Sequence, residues 1–146
     1  MTQKPRTIFY TDDDDDDRFM FRDALRHVTG EYNLALQHNG NELLQLLENP
    51  PPYPYVLFLD LNMPVKDGFT ILREIREKAG MGDLPVIIFS TSSEAESIKA
   101  SRQLGANLYI PKPSSFDALK AAIRYALSLD WKSFSPTPET FVFQAA

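Results

Sequence analysis

Four runs of strand-forming residues in this sequence each lead to a side chain that can do chemistry. Thr7–Thr11 (TIFYT) runs into Asp12 and Asp13, the first of six consecutive aspartates. Tyr55–Leu59 (YVLFL) ends in Asp60. Pro85–Phe89 (PVIIF) ends in Ser90, and Asn107–Ile110 is followed, after Pro111, by Lys112. Taken singly these residues have ordinary uses: an Asp caps a turn, a Ser caps a helix, a Lys is a solvated charge. Taken together, three carboxylates, a hydroxyl and an ammonium suit phosphoryl transfer. A hard divalent cation wants carboxylate, carbonyl and water oxygens, and Mg²⁺ keeps several waters. Asp12 and Asp13 would hold it directly or through water. One carboxylate must stay free as nucleophile, and Asp60, set apart from the acidic run, is the candidate. Lys112 would meet a phosphoryl oxygen as a point charge, and Ser90 would donate a hydrogen bond to another. Catalysis would rest on positioning and charge neutralisation.

Residues so far apart in sequence meet only if their strands lie side by side. Tyr55–Leu59 and Pro85–Phe89 are continuous apolar runs, as in strands buried on both faces. Phe21, Ala24, Leu25 and Val28 recur at helical spacing behind the first strand, and Gly30 ends that helix. Leu34 and Leu36 alternate as a more polar second strand. Asn41–Glu48 is a short helix, and Asn49–Pro54 a stiff proline-rich connector. Phe69, Leu72, Ile75 and Ala79 give the next helical face, stopped by Gly80 and Gly82. Ser93 and Glu96 have the spacing of a capping box for a helix running to about Leu104-Gly105. The last helix starts at Ser114 or Ser115 and presents Phe116, Leu119, Ile123, Ala126 and Leu127. Strand and helix thus alternate five times, the pattern of a doubly wound parallel α/β sheet. The two apolar strands take the centre. The polar second strand and the proline-bearing fifth take the margins, giving the order 2-1-3-4-5 with a switch point between strands 1 and 3. Right-handed crossovers then bring every strand's carboxyl end to one rim.

Composition narrows the function classes. At 146 residues, 43% hydrophobic and 12% aromatic, the chain is one globular domain. It has no Cys, which excludes disulfides, thiolate metal sites and Cys nucleophiles. There is no signal-peptide core and no run near the ~20 apolar residues of a membrane span, so a cytoplasmic protein is expected. Net charge is −5, from 15 Lys+Arg against 20 Asp+Glu. Without Asp12–Asp17 the 15 bases would face 14 acids, so the acidity is local and marks a site. No basic face suggests nucleic acid. Runs of like charge are ordinarily solvated tails, but here a strand precedes the run and an amphipathic helix follows it. The later aspartates fall in that helix's first turn, where the macrodipole favours them. The earlier ones crowd the strand's end and call for a cation.

With those motifs in place, the chain resembles the receiver domains of bacterial two-component response regulators. The matching residues are Asp12-Asp13, Asp60-Leu61-Asn62-Met63-Pro64 with Asp67-Gly68, Leu84–Ser90, Gly105-Ala106 and Lys112-Pro113, spread over roughly residues 5–129. The resemblance implies a flavodoxin-like fold of five strands and five helices. It implies that Asp60 accepts a phosphoryl group from a histidine kinase or a histidine phosphotransfer protein, with Mg²⁺ held by Asp12, Asp13, Asp60 and the backbone carbonyl of Asn62. It makes Ser90 and Lys112 the catalytic companions, Ser90 and Tyr109 the switch, and Asn62 and Ser92 the positions that tune dephosphorylation. It implies a cis bond between Lys112 and Pro113. Such a protein is a switch that catalyses only its own phosphorylation and dephosphorylation. The Asp-rich first loop, the Pro-rich connector and a short aromatic tail make it similar to stand-alone receivers that partner phytochrome-like kinases.

Three features depart from the commonest receiver pattern: β-branched Thr91 after Ser90, Pro111 before Lys112, and an acidic run that continues to Asp17. The expected organisation is a receiver domain over residues 1–130 and a tail over 131–146, too short for an output domain. The tail carries Trp131, Phe134, Phe141, Val142 and Phe143, which suits packing back on the domain or a homodimer contact. Other readings fit less well. A haloacid-dehalogenase-type phosphatase wants a second Asp where Asn62 stands. An EF-hand loop wants Gly where Asp17 stands. A phosphorylation-independent binding module and a phosphorelay shuttle remain as alternatives within the same family.

Overall fold

The computed structural model describes residues 5–78 and 81–144. Its elements are β1 (Arg6–Thr11), α1 (Asp15–Val28), β2 (Tyr32–Gln37), α2 (Gly40–Glu48), β3 (Pro54–Leu59), α3 (Gly68–Glu77), β4 (Val86–Ser90), α4 (Ala95–Gln103), β5 (Leu108–Pro111) and α5 (Phe116–Ser128). The five strands are parallel and lie in the order β2-β1-β3-β4-β5. Strand alternation sorts the buried side chains to two faces. Phe9, Leu57, Leu59, Val86, Ile88 and Tyr109 face one layer, where Leu43 and Leu47 of α2 meet Ile71, Leu72 and Ile75 of α3. Ile8, Tyr10, Val56, Phe58, Ile87 and Phe89 face the other, against Phe21, Ala24 and Leu25 of α1 and Leu119, Ala122, Ile123 and Ala126 of α5. No described helix is long and apolar enough to cross a membrane.

Local chemistry sets the helix starts. Asp14, Asn39, Asp67 and Ser115 cap α1, α2, α3 and α5, each accepting a backbone N–H from three residues on. Asp15, Asp16 and Asp17 occupy the first turn of α1, as the macrodipole favours. The start of α4 differs from the expected capping box. Glu94 holds the cap position without a side-chain bond, and Ser92 Oγ accepts the Glu94 N–H at 3.3 Å. The short Ser92 hydroxyl closes that turn one residue before Ser93 could. The expected extension of α3 through Ala79 to Gly80 lies outside the described residues.

At the end of the sheet away from the strands' carboxyl termini, Arg76 ties three segments together. Its guanidinium donates to the carbonyls of Leu84 and Gly105, each at 2.7 Å, and to Asn107 Oδ1 at 2.8 Å. The same Asn107 oxygen accepts the Val86 N–H at 2.9 Å. After α5 the chain turns back along β5. The Tyr109 N–H donates to the Phe141 carbonyl at 2.9 Å, and the Phe143 N–H donates to the Tyr109 carbonyl at 2.8 Å. Val142 forms a parallel bridge to Tyr109. Phe141 is buried on one face and its ring lies 6.3 Å from that of Tyr109; Phe143 packs at 4.8 Å from Tyr125 on the other. The tail thus packs back on its own domain, one of the two uses expected for it.

Candidate functional site

β1 and β3 are neighbours at the switch point of the sheet, and the residues after them share one rim. The Asp60 N–H donates to the Thr11 carbonyl at 3.0 Å, which draws Asp60 up beside Asp12. Asp12 is 1% exposed and Asp60 5%, while Asp13 is exposed. One carboxylate oxygen from each of Asp12, Asp13 and Asp60 lies within 4.8 Å of the others. Three hard oxygen donors at that spacing fit a Mg²⁺, Mn²⁺ or Ca²⁺ ion and not a soft metal.

Lys112 sits among these acids. Its Nζ donates to Asp12 Oδ2 at 2.7 Å and to Asp17 Oδ2 at 2.8 Å, and stands 3.6 Å from Asp60 Oδ1. Burial alone would lower the lysine, but its bonds to Asp12 and Asp17 and the charges of Asp12 and Asp60 outweigh it and hold the ammonium protonated. Asp60 goes the other way. Burial, then the charge of Asp12, pushes its carboxyl up to about 6, against Lys112 and a hydrogen bond from the Asn62 backbone. A carboxylate in this setting gains from any cation placed beside it.

Ser90 is fully buried at the end of β4. Its Oγ accepts the Ser92 N–H at 3.2 Å and its carbonyl accepts the Lys112 N–H at 2.8 Å. Tyr109 is buried on β5, and its hydroxyl donates to the Ser92 carbonyl at 2.7 Å. The rim therefore gathers Asp12, Asp13, Asp60 and Lys112, with Ser90, Ser92 and Tyr109 linked behind it. Asn62 and Thr91 are exposed. Asn62 reaches Asp60 through its backbone. One expectation is corrected: no peptide bond among the described residues is cis, so Lys112–Pro113 is trans. Trans is the lower-energy form of an X–Pro bond by about 0.5–1 kcal/mol, and Lys112 reaches Asp12 and Asp17 from it.

The loop after Asp60 is tightly built. Gly68 donates its N–H to the Leu61 carbonyl at 3.0 Å. A Cβ on Gly68 would lie 2.5 Å from the Asp60 carbonyl oxygen and 2.8 Å from Leu61 Cα. Val65, at the loop's tip, is 96% exposed with φ of 69°. The left-handed conformation costs a β-branched residue about 1–2 kcal/mol.

Sequence reasoning passed over three residues of the site. Tyr10 donates its hydroxyl to Asp12 Oδ2 at 2.7 Å. Arg18 donates to the Asp12 backbone carbonyl at 2.6 Å and pairs with Asp15. Asp17, treated as a macrodipole residue, is a direct partner of Lys112. Tyr10 left a signal: a tyrosine in a buried strand needs a partner for its hydroxyl, and Asp12 lies two residues on, on the same side of the strand.

Comparison with known proteins agrees with the geometry. Residues 8–124 match the response regulator receiver domain, and the chain belongs to that family. Response regulator Rcp1 of Synechocystis is 28% identical over 74% of this chain and 77% of its own length. The DNA-binding transcriptional regulator NtrC of Salmonella typhimurium is 33% identical over 83% of this chain, which spans only 24% of that longer protein. Among solved structures, response regulator RPA3017, in red light signaling of R. palustris, is similar with a TM-score of 0.79 at 27% identity, over 90% of this chain and 99% of that one. The phosphorylated cyanobacterial phytochrome response regulator RcpA is similar with a TM-score of 0.76 at 27% identity, over 92% and 99%. Rcp1 in its Mn²⁺-bound form has a TM-score of 0.75 at 26% identity, over 92% and 99%.

Proposed function

We propose that this protein is a response regulator of the two-component type, with Asp60 of its receiver domain as phosphoacceptor. The supporting observation is a buried carboxylate beside two further aspartates, with an ammonium 3.6 Å from its Oδ1. In this reading Asp12, Asp13, Asp60 and the backbone carbonyl of Asn62 hold a divalent cation, with Mg²⁺ as the physiological ion. When bound, the cation supplies charge neutralisation for the oxygens of the transferring group. An Asp60 oxygen attacks phosphorus, the bond to the donor histidine nitrogen breaks, and an acyl phosphate results. Lys112 then exchanges part of its contact with Asp12 and Asp17 for a phosphoryl oxygen. Ser90 Oγ turns from the Ser92 N–H toward a second oxygen. That movement shifts the loop carrying Ser92, whose carbonyl holds Tyr109, so the site and β5 change together. Asn62 and Ser92 flank the acyl phosphate and set its lifetime.

The donor is a histidine kinase or histidine phosphotransfer protein in the cytoplasm. Likeness to the phytochrome response regulators favours a phytochrome-type kinase. Residues 1–130 act as the receiver, and 131–146 as a tail bearing on its output, read by a protein partner or a second copy of the chain. The test is intact mass after incubation with Mg²⁺ and a small phosphodonor, for wild type and Asp60→Ala. One added phosphoryl group in wild type alone is the expected result. No gain in folded wild type would reduce the chain to a binding module. Gain in both would move the acceptor to another aspartate.

A further inference from the structure

The Asp12 carboxylate has little acceptor capacity left. Its Oδ2 takes the Tyr10 hydroxyl and the Lys112 ammonium, each at 2.7 Å, and its Oδ1 takes the Asp14 N–H at 3.0 Å. An ionised carboxylate offers about four lone-pair positions, so one remains, and it is on Oδ1. The lysine belongs to the phosphoryl chemistry described above. Tyr10 does not: a Val or Ile would fill a strand position as well without occupying Oδ2. Nor can the phenol swing aside. Tyr10 is 1% exposed, with its ring 4.3 Å from Phe21 and 5.7 Å from Phe89.

We propose that Tyr10 is a positioning residue that sets cation specificity: by filling Oδ2 it restricts Asp12 to a single-oxygen contact and so favours Mg²⁺ over Ca²⁺. The inference rests on the cation reading given above. Mg²⁺ wants six near-octahedral oxygens and keeps waters, so one oxygen per carboxylate serves it. Ca²⁺ takes six to eight oxygens and gains from carboxylates that bind through both. Asp13 and Asp60 stay able to bind either way, so the effect is a shift in preference.

Tyr10→Phe keeps the ring and removes only the donor. Titration calorimetry of wild type and variant with MgCl₂ and with CaCl₂ measures both affinities without phosphorylation. The preference for Mg²⁺ over Ca²⁺ is expected to fall by at least about fivefold in the variant, less than the roughly tenfold or more that partners of metal ligands do to affinity, because Asp12 is one of three carboxylates. A merely structural role would weaken both ions together and leave the ratio within about twofold of wild type, which would overturn the proposal. Wild type that binds neither ion would overturn the cation reading itself, and the proposal with it.

Discussion

Asp60 combines burial with the need to carry a charge, and the two have opposite consequences for stability. Its carboxyl titrates near 6 in the folded protein against a usual 3.8. Between those values the folded chain binds more protons than the unfolded one, so stability falls as pH rises through that window. At neutral pH the cation-free protein carries the full cost, about 3 kcal/mol from a shift of roughly two units. Asp60→Asn removes it. In EDTA at pH 7 the variant is expected to melt above wild type, and at pH 4, where wild-type Asp60 is mostly protonated, the difference should shrink towards zero. Thermal denaturation at the two pH values checks this; equal melting at pH 7 would mean that Asp60 is ionised at no cost. Added Mg²⁺ should stabilise wild type and leave the variant nearly unmoved, because a ligand stabilises only the state that binds it.

At the scale of elements, the site depends on how closely α3 approaches the end of β3. Gly68 makes that approach possible, since the atoms a Cβ would meet are backbone atoms of Asp60 and Leu61. Gly68→Ala is therefore expected to cost about 2–3 kcal/mol, at the upper end for overpacking, and to weaken divalent binding by displacing Asp60. Urea denaturation with a Mg²⁺ titration on the same variant separates the two effects; an unchanged midpoint would mean the loop gives way freely. The sheet and its rim were legible in the sequence for a simple reason. Strands 3 and 4 are buried on both faces, so their apolar runs stand out, and the residues that end them are polar against that background. Ser115 and the aspartates of α1 were legible because capping is local. What escaped depends on contacts across the fold. Nothing near Arg76 in sequence shows that its guanidinium will span Leu84, Gly105 and Asn107. The Ser93 capping box failed because the helix starts one residue later, with Glu94 at the cap position and its N–H taken by Ser92 Oγ. The isomer of Lys112–Pro113 was carried over from family resemblance and not from any residue beside it.

At the scale of the molecule, two cores bind helices to either side of the sheet, and the tail is joined to the strand that carries Tyr109. Phe141 is 1% exposed, and Phe→Ala in such a place costs about 3–5 kcal/mol. Removing residues 137–146 is expected to lower unfolding free energy by a similar amount and to loosen β5, seen as faster amide exchange at Tyr109. Slow exchange in the truncated chain would make the tail an ornament of the surface. Its place in the sequence has a consequence for how the protein is made. The residues that bridge Tyr109 follow it by roughly thirty positions, which at ribosomal speeds of about 5–20 residues per second is a delay of some seconds. For that interval the backbone groups of Tyr109 that later bind Phe141 and Phe143 have no partner from their own chain. A copy cut short before Phe141 would offer those groups to another chain. The short, proline-bounded β5 keeps that opportunity small until the chain supplies its own cover.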